Sequence, residues 1–88
     1  MKKTELQKTT PAAAPNEYWQ RIEAVIEHYG FTSVSAFARH LGLPRAENLY
    51  QIKKGNNVIS RRLADTINAS LPEVSKGWLL FGENNMLL

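Results

Sequence analysis

The side chains best equipped for specific recognition are the carboxamides of Asn48 and Gln51 and the guanidinium of Arg45. An amide pairs bidentately with an adenine edge, and a guanidinium pairs in the same way with guanine. Tyr50 lies between the amides and has two readings: packing on a thymine methyl or a phosphate, or half-burial against a neighbouring helix. Residue types for catalysis are not grouped in this way. The two histidines, His28 and His40, fall on different helical segments without an H-E-x-x-H spacing or a nearby carboxylate cluster. Both read as surface residues, His40 near the end of its helix. No glycine-rich phosphate loop and no Ser/His/Asp arrangement is present. With no cysteine there is no thiolate metal site, disulfide or Cys nucleophile. The expectation is a non-enzyme that needs no cofactor and no metal.

Charge points the same way. From Arg39 to Arg62 there are six cations, Arg39, Arg45, Lys53, Lys54, Arg61 and Arg62, against the single carboxylate Glu47. The segment before it, with Glu17, Glu23 and Glu27 against Arg21, is net acidic. So is the segment after it, with Asp65, Glu73 and Glu83 against Lys76. The whole chain of 88 residues carries only +3, so the cations are collected rather than plentiful. A regular negative surface is the matching partner, and duplex DNA fits better than a small acidic molecule. Lys53, Lys54, Asn56, Asn57, Arg61 and Arg62 are accordingly assigned to DNA phosphates, contacts that position without specifying. Glu47 either accepts from a cytosine amine or stabilises the start of its own helix.

These residues need helices to present them. Val34, Phe37, Ala38 and Leu41 are spaced i, i+3, i+4, i+7, one face of a short helix, with Ser33 as its cap. Gly42 suits the left-handed residue after that helix, and Pro44 keeps Leu43 from continuing it. A second helix, about residues 46–53, turns Leu49 and Ile52 inward and leaves Asn48, Tyr50, Gln51, Lys53 and Lys54 outside. Two short helices crossing steeply, the second showing amides and cations, is helix-turn-helix geometry.

Ala38, Gly42, Ile52 and the Lys53-Lys54-Gly55 ending resemble the phage-repressor-type helix-turn-helix domains, the lambda-repressor/Cro-like or XRE class. The following Asn56 to Ser60, the helix with Leu63, Ala64 and Ile67, and the closing Gly77 to Glu83 are similar to that family's later elements. The resemblance covers roughly residues 16–88. It implies an all-α, compact bundle of about five short helices, a lambda-repressor-like fold with residues 46–53 in the major groove of double-stranded DNA. It also implies a transcriptional regulator, a repressor in the first instance, acting as a homodimer on a palindromic site. Two departures stand out. The turn from Gly42 to Leu49 is one residue longer than the family's, and the glutamine that often opens the first helix is replaced by Ser33, Val34 and Ser35. The phosphate brace is then either weaker or supplied by Ser33 or Ser35. The alternative is a protein-interaction module of the same fold, such as an antitoxin that binds a partner protein, which would not need a basic strip.

The remaining segments are supports. Residues 1–15 show no sustained apolar period and read as a disordered tail, with Lys2, Lys3 and Lys8 either solvated or near phosphates. Residues 16–88 form the domain. Asn16 is expected to cap the first helix, Glu17 and Arg21 to pair, and Tyr18, Ile22, Val25, Ile26 and Tyr29 to form its apolar stripe. Trp19, off the stripe's centre, is a partly exposed packing residue or a binding anchor. Ile59 and Ser60 should lead into the next helix, whose opening Arg61-Arg62 opposes the helix dipole unless a phosphate or water compensates. Ser75 should cap a last helix, with Trp78, Leu79 and Phe81 closing the core. Met86-Leu87-Leu88 could be a linker, a packing flap or a dimer contact. No apolar run reaches the ~20 residues of a membrane span and no signal-peptide core is present, so a cytoplasmic protein without a membrane partner or small-molecule substrate is expected.

Overall fold

The computed structural model describes residues 14–88, with side chains from Glu17 onward. Five helices occur among the described residues: α1 Ala14–Tyr29, α2 Val34–His40, α3 Glu47–Lys53, α4 Arg61–Ser70 and α5 Lys76–Phe81. Serine chemistry starts three of them. The hydroxyls of Ser33, Ser60 and Ser75 accept from the backbone N–H groups of Ala36, Leu63 and Trp78, each three residues on. Each serine thereby satisfies a donor with no partner inside the helix. The start of α1 differs from expectation. The helix opens at Ala14, so Asn16 lies inside its first turn instead of capping it. Pro15 explains the shift, because a first-turn residue needs no N–H and proline's fixed φ is already helical. The rest of the expected tail, residues 1–13, lies outside the described residues.

Gly42 ends α2 at φ +78°. The N–H of Leu43 then reaches back to the carbonyl of Ala38 at 3.0 Å, closing a Schellman turn. A Cβ at Gly42 would meet no atom within 4 Å, so any penalty there comes from the backbone alone. Gly42→Ala is therefore expected to cost about 1–2 kcal/mol. Urea denaturation should show a lower midpoint with an unchanged slope, because the surface exposed on unfolding stays the same.

The apolar faces converge on one core. Ile22, Val25, Phe37, Leu49, Ile52, Ala64, Ile67, Val74 and Leu79 are buried, and Ala38 and Leu63 are nearly so. Helix α1 packs against both α3 and α5, α2 packs against α3, and α4 against α5. Ala38, small at the crossing, fits the close contact of α2 with α3. Tyr18, Trp19 and Tyr29 pack at the core's margin, which makes Trp19 a packing residue.

Polar ties close the bundle where the apolar pattern alone would leave it open. Arg21 is only 13% exposed in its side chain and donates Nε–H to the carbonyl of Leu79 at 3.0 Å. Its guanidinium lies 4.9 Å from the Tyr18 ring centre, and the expected pairing with Glu17 is long, at 3.9 Å. Asn68 donates to the carbonyl of Val74 at 2.8 Å, holding the turn after α4. The Tyr29 hydroxyl donates to Glu73 at 3.2 Å; burial first, then this carboxylate, raise the phenol above its ordinary pKa.

One expected core residue lies elsewhere. Phe81 is 64% exposed, whereas Leu79 is fully buried. Two residues along a helix turn a side chain through about 200°, so α5 cannot bury both against the same neighbour. Trp78 and Leu80, flanking Leu79, are half-buried instead. The chain end is a packing flap. Val74 and Leu87 form an isolated antiparallel bridge, Ser75 donates its N–H to Met86, and Leu88 donates to Glu73. Met86 and Leu87 rest against the core, while Leu88 extends outward.

Candidate nucleic-acid interface

Helix α3 is anchored by two fully buried residues, Leu49 and Ile52. Because they occupy its inner face, Asn48, Tyr50, Lys53 and Lys54 are left exposed and Gln51 partly so. Tyr50 is 38% exposed, so its ring is not a core residue. The helix ends at Lys54, and Gly55 at φ +86° turns the chain back along it. That return brings the Asn56-Asn57 pair beside the amides of α3.

The polar side chains there are ordered by one another. Gln51 donates Nε2–H to Glu47 Oε2 at 2.8 Å, and its Oε1 accepts from Asn56 Nδ2 at 2.9 Å. Asn57 Nδ2 donates to Asn48 Oδ1 at 2.9 Å. Asn56 is also fixed through its backbone, whose N–H reaches the Gln51 carbonyl at 2.9 Å. Glu47, Gln51 and Asn56 form one hydrogen-bonded set and Asn48 and Asn57 another, the two joined through the chain at Asn56-Asn57. Each amide keeps unused donors or acceptors, because a carboxamide offers two hydrogens and two lone pairs.

The cations do not share one direction. Arg62 shares a shallow groove with Asn48, Ser60, Leu43 and Thr66, on the α3 side of the molecule. Arg61, its neighbour, lines a different groove with Asp65, Lys76, Leu80 and Phe81 of the α4–α5 side. Adjacent helical residues are about 100° apart, so the pair expected to act together separates. Arg45 lies with Ser35 and Arg39 in a groove beside the start of α3. Lys53 leans over the Trp19 ring, its Nζ 5.7 Å from the ring centre, which ties α3 to α1. Ser33 spends a lone pair on the α2 cap but keeps its O–H free to donate.

One residue with a place in this surface carried no contact role in the sequence. Arg39 adds a second guanidinium beside Arg45; its exposed position on α2 followed from the apolar spacing of its neighbours. The bond from Gln51 to Glu47 spans i, i+4, a spacing visible in the chain. The nine-residue link from Asn57 to Asn48 had no such signal.

Elsewhere the surface offers less chemistry. Among the described residues no group of three or more His, Asp or Glu could hold a metal ion. His28 and His40 are exposed, and the His40 ring lies 5.0 Å from that of Phe31. No helix among the described residues is long and apolar enough to cross a membrane. Comparison with protein families, with curated proteins and with solved structures finds no match to this chain.

Proposed function

We propose that this chain binds double-stranded DNA sequence-specifically as a transcriptional regulator, with α3 entering the major groove in a lambda-repressor-like helix-turn-helix. The observation that carries the proposal is the patch on α3: a braced row of carboxamides flanked by Lys54 and Arg62, with Glu47 its one carboxylate. Carboxamides read base edges, and the flanking cations neutralise phosphates. The crossing of short α2 with α3 at Ala38 and Gly42 supports the same assignment. In it Asn48, Gln51 and Tyr50 face base edges, and Arg45 reaches toward them from the turn. Lys53, Lys54, Arg61, Arg62, Asn56, Asn57, Ser33 and Ser35 serve the backbone, with Arg62 the best placed cation for a phosphate alongside Asn48. A single domain of this size reads a half-site, so two copies on a palindrome, about 34 Å apart, are the functional unit.

Selection from a random duplex pool tests the proposal, because it yields site, symmetry and spacing together. Gln51→Ala is then expected to lose ~1–3 kcal/mol on the selected site and to relax preference at one base position, measured by competition binding. An equal loss on random DNA would remove α3 from the groove. Absence of any salt-dependent retention on duplex DNA would favour an interaction module of the same fold.

A further inference from the structure

We propose that Glu47 and Asn56 are positioning residues that fix the direction of the Gln51 amide, so that it reads adenine on one strand of a particular base pair. The inference rests on the DNA-binding reading above and deepens it.

The argument is a count of hydrogen-bonding capacity. Gln51 has two N–H hydrogens and two carbonyl lone pairs. Glu47 takes one hydrogen and Asn56 supplies one bond to the carbonyl. One hydrogen and one lone pair remain, on adjacent atoms. In the major groove adenine presents N7 as acceptor beside an N6 amine as donor, which satisfies both. Guanine presents two acceptors, thymine an acceptor and a methyl group, and cytosine an amine alone. None of those three meets both remaining positions.

The clamp also has a sense. Turning the amide end for end would set its carbonyl against the Glu47 carboxylate, acceptor against acceptor, because a carboxylate cannot donate. Asn56 could turn its own amide to follow, so Glu47 sets the sense and Asn56 holds the amide in place. The order of donor and acceptor along the groove is thus held, and A·T is distinguished from T·A. Bracing in the free protein also lessens the side-chain ordering that binding would otherwise require. Asn56 is itself held by its backbone bond to Gln51, so the clamp is built from α3, beginning at its first residue Glu47, and the turn that follows the helix.

The test uses the full chain and duplexes that carry the selected site or differ from it at the single base pair read by Gln51, with affinities measured by fluorescence anisotropy. Glu47→Ala and Asn56→Ala are each expected to reduce the preference for A·T over T·A there by roughly fivefold or more. Glu47→Gln keeps the length of the side chain but can present its NH2 as well as its oxygen, so it should lose most of the preference, as Glu47→Ala does. A role confined to helix stability would shift the thermal midpoint without moving this ratio. The inference is overturned if Gln51→Ala relaxes the position while Glu47→Ala and Asn56→Ala leave it unchanged, or if Glu47→Gln keeps the parent's full preference. Failure of the parent chain to prefer any duplex would instead overturn the DNA-binding reading, and this inference with it.

Discussion

Phe37→Ala is expected to lower stability by about 3–5 kcal/mol, the largest effect of any single truncation in the bundle. The ring is fully buried on α2 and stacked obliquely on Phe31 with 5.3 Å between ring centres. Small domains have only about 5–15 kcal/mol in total, so the loss is a large fraction of what holds this one together. Thermal unfolding followed by circular dichroism should show the midpoint falling by at least about 12 °C. Phe81→Ala, at the exposed end of α5, should leave the midpoint nearly unchanged. Equal losses from the two would show that α5 closes the core with a different face.

Binding to duplex DNA should fall roughly a hundredfold between about 50 and about 200 mM salt, the slope given by neutralising about four phosphates. Four is the number of cations, Lys53, Lys54, Arg61 and Arg62, assigned to the backbone. Lys54→Ala and Arg62→Ala should each flatten the logarithmic slope by roughly 0.9 and weaken binding to all sequences alike. The geometry sharpens the comparison within the arginine pair. Arg62 borders the Asn48 groove and Arg61 turns toward α5, so Arg61→Ala should flatten the slope less than Arg62→Ala does. A slope near zero in the parent chain would remove duplex DNA as the partner.

Much of the architecture is legible in the residues themselves. The i, i+3, i+4, i+7 spacing in α2, the inward pair Leu49 and Ile52, and the serine caps of α2, α4 and α5 all follow from rules acting over four residues or fewer. The start of α1 was misjudged because two local signals competed. Asn16 is a good cap, yet Pro15 is equally at home in a first turn, and the helix takes the longer option. Phe81 was misjudged for another reason. An apolar run of Trp78, Leu79, Leu80 and Phe81 surrounds the whole of a short helix, and hydropathy cannot say which side faces a neighbour.

The sequence by itself determined where the helices lie, that the cations gather between Arg39 and Arg62, and that two carboxamides ride on the outer face of α3. Those properties depend on residue type and helical period, which are local. Only the tertiary structure decided that the Asn56-Asn57 turn folds back to brace Gln51 and Asn48, that Arg61 and Arg62 part company, and that Arg21 locks α1 to the Leu79 carbonyl of α5. The last bond joins residues 58 apart in the chain. Such contacts arise when buried faces from distant segments share one core, and the polar groups at its edge then pair with whatever the packing has brought beside them.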